Sequence, residues 1–246
     1  MMIRRSRMPL ELRWPADAPP LEEVRLPRGR TRTAFEGSPW FDTGPRDRAL
    51  DFSAGIEKLI VDVVGRCPRW RHLDVSRILI GFTQATTLRL HGLQARVTPL
   101  RFEGGALVRR LRGTDYRMQR YFVGEREYLY LLTFCLPRFL DQPFEEKLVT
   151  LFHEMHHFGA AFDGDLRRHK GRCHLHTRSK HEYDKLMSEF AVEYWKTKPD
   201  PAASAFLRLN FRQLRERHGK VVGLVVPRPR LIPVDFNPSD MAIRDE

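Results

Sequence analysis

Residues 141–165 read DQPFEEKLVTLFHEMHHFGAAFDGD, and within them His153-Glu154-Met155-His156-His157 has the form HExxH. Phe144, Leu148, Leu151, Phe152, Met155 and Phe158 recur at three- and four-residue spacing, which predicts an amphipathic helix with one face on a core. Asp141 suits its N-cap, Pro143 its first turn, and Gly159 and Gly164 mark its end. On such a helix residues i and i+4 share a face, so His153 and His157 can offer ring nitrogens to one ion. Glu154 can then reach a water at that ion without ligating it, which is the arrangement of a metal-activated water with a carboxylate base. His156, only three residues from His153 and adjacent to His157, falls off the metal face.

A catalytic zinc takes three protein ligands and keeps one position open. Seven of the ten histidines lie between His153 and His181. The candidates for the third ligand are Asp163, Asp165, His169, His174, His176, Glu182 and Glu189. Asp163 stands six residues after His157, a spacing used by one class of zincins, but that class has Gly where this chain has Ala160. His174 and His176 alternate in GRCHLHT, so one of the two faces the metal, and the reading favours His176. Glu182 or Glu189 would serve if a following helix crossed beneath the first. Cys173 offers a thiolate that can ligate or block a zinc, although a lone loop cysteine is more often neither. Tyr183, Arg167, Arg168 and His181 are candidate donors to a developing oxyanion.

Outward from this centre, Ser179 to Lys196 predicts a second helix with Tyr183, Leu186, Met187, Phe190, Ala191 and Tyr194 on its apolar side. Residues 201–217 suggest a third helix, and residues 163–178 a polar loop. Upstream, Phe52, Ile56, Leu59, Ile60 and Val63 predict a helix over 51–65, and VSRILIGF (75–82) a buried strand. Alternating runs over 86–136, punctuated by Gly104-Gly105, Gly113 and Gly124, read as a β-meander. Residues 1–48 hold seven prolines, which interrupt any long helix or ladder, so they read as an extended arm whose composition allows disorder. Trp14, Phe35, Trp40 and Phe41 give that arm apolar groups with which to dock. The fold expected is α+β: a small antiparallel or mixed sheet on an active-site helix and a following helix, as one domain over 49–217, with a strand and tail over 218–246.

The composition bounds the partners. With 246 residues, 41% of them apolar, the chain can build a real core. The net charge of +12 is carried mainly by arginine, which suits nucleic acid or acidic partners but also follows from GC-rich codons. No basic run with interleaved aromatics marks a nucleic-acid strip, so binding through an Arg-rich surface is a secondary expectation. Three cysteines with no framework spacing suggest reduced thiols, and the arginines at the N-terminus lead into no signal-peptide apolar stretch. The longest apolar run, Tyr128–Leu136, is too short to span a bilayer. A soluble, cytoplasmic protein without a membrane partner is expected.

The segments HEMHHFGAAFDGDLRR (153–168) and GRCHLHTRSKHEYD (171–184), preceded by LTFCLPRFLDQPFEEKLVTLF (132–152), resemble the phage-type metallopeptidase domain. They are distantly similar to the SprT-like and Spartan zinc peptidases, over roughly residues 70 to 195. The resemblance implies a zincin-like fold, Zn²⁺ as cofactor and hydrolysis of a protein or peptide substrate with Glu154 as general base. It also implies a third ligand from a histidine in the loop after the active-site helix, which again favours His176 or His174. Two rivals stand beside this reading: a DNA-associated protease, and a non-enzymatic domain with a closed structural zinc that includes Cys173.

Overall fold

The computed structural model describes residues 9–16, 20–27, 43–46, 48–87, 89, 91–168 and 180–234, with the backbone alone at 180–182 and 184. In chain order the elements are β1 (Glu11–Trp14), β2 (Leu21–Glu23), β3 (Leu50–Asp51), α1 (Phe52–Arg66), β4 (Ile78–Gln84), β5 (Ala95–Pro99), β6 (Val108–Leu111), β7 (Thr114–Met118), β8 (Arg120–Val123), β9 (Arg126–Tyr128) and β10 (Tyr130–Leu136). There follow α2 (Phe144–His156), α3 (Lys180–Lys196), α4 (Pro201–Ser204), α5 (Phe211–His218), β11 (Val221–Leu224) and β12 (Leu231–Pro233). The protein is α+β, and the described residues form four small three-stranded sheets.

The sheet that positions the site has the order β4-β10-β5. Its centre, YLLTFCL, is apolar almost throughout because both faces are covered, as a doubly buried strand requires. β10 runs parallel to β4, with Leu132 opposite Ile80, and antiparallel to β5, with Leu132 opposite Val97. Ile80, Leu132 and Val97 belong to the main core with Phe52, Ile56 and Leu59 of α1, Leu148, Leu151 and Met155 of α2, and Met187 and Phe190 of α3. The alternate residues Leu79 and Leu131 turn to the other face, into a smaller cluster with Tyr121 and Leu224.

Expectation and structure differ at several points. The stretch 86–136 is not one meander. Its strands are shared among three sheets, and the run read as one strand over 116–123 breaks at Gln119, whose N–H turns to the carbonyl of Arg230. A second break falls at Leu129, whose N–H bonds the carbonyl of Arg77. Local alternation cannot reveal such breaks, because each run keeps a period of two on either side. Asp141 does not cap α2: its carboxylate accepts the N–H of Phe211 at 3.2 Å, at the start of α5. The helix read over 201–217 is divided into α4, a 3-10 turn and α5, with Asn210 forming a capping box with Gln213. The N-terminal arm docks on the body where it is described. β1 pairs parallel with β8, Trp14 stacks on Tyr121 at 5.9 Å, and β2 and β3 flank β11. No helix among the described residues is long and apolar enough to cross a membrane.

Candidate active site

Helix α2 carries the site because its two kinds of face diverge. Leu148, Leu151, Phe152 and Met155 are buried in the core, and one residue per 100° of turn brings His153, Glu154 and His157 onto the adjoining strip. The helix proper ends at His156. His157 follows in helical conformation, its N–H shared between the carbonyls of Glu154 and Met155, so the i, i+4 relation with His153 survives the helix end. The two rings stand 4.8 Å apart between centroids and are partly buried.

Glu154 points toward the sheet. It is only 7% exposed, and its Oε2 accepts the N–H of Val97 at 2.9 Å. That N–H is available because of the register of β5. The carbonyl of Gln94 accepts from Cys135 and the N–H of Leu100 donates to Leu129, so even-numbered residues bond toward β10. Odd-numbered ones, Val97 among them, face the outer edge. Burial pushes the Glu154 carboxyl up to about 7, against the opposing pull of the Val97 N–H and of Arg96.

Helix α3 closes the other side with Tyr183. Its ring lies 4.8 Å from that of His153 and 6.4 Å, stacked, from that of His157, while its hydroxyl lies 2.8 Å from Nδ1 of His156. His156 also packs 5.9 Å from Phe190. It therefore engages α3, off the strip shared by His153 and His157.

The chain leaving α2 folds back on itself. Phe158 bridges Leu166, the N–H of Arg167 bonds the carbonyl of His157 at 2.8 Å, and the N–H of Gly159 bonds the carbonyl of Asp165 at 3.2 Å. A Cβ at Gly159 would meet that carbonyl oxygen at 2.7 Å, so the close approach of the two backbones needs glycine. The buried Tyr130 hydroxyl fastens the loop, donating to the carbonyl of Asp165 at 2.7 Å and accepting the N–H of Gly164 at 3.1 Å. Asp165 has its two oxygens committed to the N–H groups of Gly104 and Leu166 and to the Arg168 guanidinium, at 2.8–3.2 Å. Those bonds tie this loop to the turn at 103–105. Asp163 accepts the N–H of Asp165 at 3.1 Å, and Glu189 is exposed on α3.

Of the residues singled out in the sequence, the structure thus brings together His153, Glu154, His157 and Tyr183. His176, His174, His169 and Cys173 lie outside the described residues, as do the side chains of His181 and Glu182. Arg168 is tied to Asp165 and Glu103, whereas the guanidinium of Arg167, the preceding residue, lies within electrostatic reach of Tyr183 and Arg69. Sequence reasoning missed Val97 and Tyr130. Val97 acts through its main chain, which no side-chain motif reports. Tyr130 sits in a run of core residues that hides its hydroxyl.

Set against known proteins, the chain matches no family model, no curated protein and no solved structure.

Proposed function

We propose that this protein is a zinc-dependent metallopeptidase with a zincin-like site. The observation that carries the reading is the convergence of His153 and His157, 4.8 Å apart, with a buried carboxylate on the same helix strip at the edge of a sheet. Two imidazoles on adjacent turns fit a zinc ion. A structural zinc has no use for a buried carboxylate beside its first histidine, and this favours a catalytic role. His153 and His157 would hold the ion, and His176, which lies outside the described residues, is the third ligand proposed. A zinc ion so held supplies Lewis acidity, lowering the pKa of water to near neutrality and polarising the substrate carbonyl.

The rest falls to the chain's own residues. Burial raises the Glu154 carboxyl while a zinc on the neighbouring histidines would pull it back down, and its place beside them suits it to taking a proton from water and returning it to the leaving nitrogen. The Val97 N–H holds that carboxylate in place, so little reorganisation accompanies the transfer. β5 is the outer strand of its sheet, and with the Val97 N–H taken by Glu154 and no N–H on Pro99, an extended peptide along that edge would be met chiefly by the carbonyls of its odd-numbered residues.

The test is metal content and cleavage of unfolded casein by wild type, Glu154→Gln and His157→Ala. One zinc per chain in wild type and Glu154→Gln, lost in His157→Ala, with cleavage by wild type alone, is the expected result. Zinc held equally by all three overturns the HExxH assignment and supports a structural site elsewhere.

A further inference from the structure

Helix α3 runs antiparallel to α2 and lays its buried stripe along it. Trp195 meets Phe144 at 5.8 Å, Tyr194 meets Phe152 at 6.2 Å and Phe190 meets His156 at 5.9 Å, all between ring centroids. Followed back through Met187 toward the start of α3, the same stripe brings Tyr183 to the last turn of α2. Tyr183 is only 6% exposed there.

Its ring lies against both imidazoles of the candidate site, in two different attitudes. It stands edge to face with His153, 4.8 Å away at 72°, and nearly parallel to His157, 6.4 Å away at 22°. The two imidazoles themselves cross at 73°. One flat side chain in that place restrains both rings at once and so sets the angle between them. The ring is held in turn, because its hydroxyl lies 2.8 Å from Nδ1 of His156. The Arg167 guanidinium lies within electrostatic reach of Tyr183, and the Arg167 N–H holds the His157 carbonyl at 2.8 Å. His157 is thus restrained at its main chain and at its ring by different segments.

An imidazole that ligates a metal gives up rotation about its side-chain bonds, and neighbours that restrict the ring beforehand reduce that entropic cost. Losing such a neighbour weakens metal binding by roughly 10–100-fold.

We propose that Tyr183, secured by His156, is a positioning residue that holds His153 and His157 at the angle needed to ligate one ion. The proposal rests on the zinc-peptidase reading and gives the second histidine of HEMHH a part in it. His156 ligates nothing and instead anchors the ring that orients the two ligands.

The test is zinc affinity, measured on the full-length protein by competition with a chromophoric chelator. The thermal midpoint of each zinc-free variant is recorded beside it, and affinities are taken well below that midpoint, so that a merely loosened fold does not count as lost affinity. Tyr183→Leu keeps apolar bulk and loses the flat ring, and its dissociation constant for zinc is expected to rise roughly 10–100-fold. Tyr183→Phe restores most of that affinity, leaving a loss of about threefold, the scale of one hydrogen bond. His156→Ala gives a similar loss, and His156→Ala/Tyr183→Phe no more than either alone, because all three remove the same bond.

Zinc bound by Tyr183→Leu within about twofold of wild type, but lost in His157→Ala, overturns the positioning role and leaves the peptidase reading standing. Losses that multiply in the double variant overturn the anchoring by His156. Zinc lost in His156→Ala as completely as in His157→Ala makes His156 a ligand and overturns the proposal as well. Should Tyr183→Leu fail to fold, the cycle of His156→Ala and Tyr183→Phe decides alone. Zinc absent from wild type overturns the peptidase reading, and the positioning role falls with it.

Discussion

The two ends of α2 bury opposite charges two turns apart, and they use them differently. Lys147 and Glu154 are seven residues apart and share a side of the helix. Lys147 is 2% exposed, and its Nζ donates to the carbonyls of Leu207 and Leu209 at 2.7 and 2.9 Å. Burial pushes that amine down to about 7, with Asp141 pulling the other way, as burial pushes Glu154 up to about 7. Lys147 is enclosed and satisfied by the ends of the chain's own turns, so it joins α2 to the 205–210 segment. Glu154 stands beside two partly buried imidazoles at a sheet edge. Burial of a charge is therefore no mark of a site by itself. Convergence with metal-ligating groups is what separates the two.

That contrast is open to measurement. The largest effect expected is on Glu154→Gln, whose amide oxygen still accepts the Val97 N–H. Its kcat/KM on casein should fall about a thousandfold, within the range for losing a general base, with zinc content unchanged. Activity within tenfold of wild type would place the base elsewhere.

Lys147 should instead report in stability. Between about pH 7 and its unfolded value, the unfolded chain keeps a proton that the native state has shed, so unfolding free energy rises with pH over that interval. The rise is at most about 1.4 kcal/mol per pH unit. Urea titrations at pH 7, 8 and 9 should show it in wild type, and Lys147→Met should flatten it. A slope identical in the two proteins would mean that Lys147 is not the group titrating.

Asp165→Asn probes the fastened loop. It should cost about 1–3 kcal/mol through lost charge-assisted bonds to Arg168 and the two backbone N–H groups. Zinc content should stay at one per chain, and its loss would restore Asp165 as a ligand. The smallest change expected is in Tyr183→Phe, which removes one hydrogen bond to His156, about 1 kcal/mol of stability, with less than a tenfold loss in kcat/KM. A hundredfold loss would make the Tyr183 hydroxyl the oxyanion donor.

Much of the site's helix was legible in the chain, for a local reason. The period of Phe144, Leu148, Leu151, Phe152 and Met155 sets which side of α2 is buried, and the i, i+4 spacing then aligns His153 with His157 without reference to any other element. Helix α1 and the span of α3 follow from the same periodicity. Strand pairing was not legible. Which run lies beside β10, that β4 joins it in parallel and that β5 is left at the edge depend on contacts between residues tens of positions apart, about which alternation within a run is silent. The same limit hid the role of Asp141, which accepts an N–H at the start of a helix seventy residues away.

Sequence by itself determined an α+β chain with an amphipathic helix bearing two histidines and a glutamate in HExxH order, because helical periodicity is a property of neighbours. Only the tertiary structure decided that Glu154 is buried against the Val97 N–H, that Asp165 is engaged in bracing a loop, and that burial pushes the Arg167 guanidinium down within reach of Tyr183. Each of these is a meeting of distant segments, and in each the decisive partner is a backbone group or a change of burial that no side-chain pattern encodes.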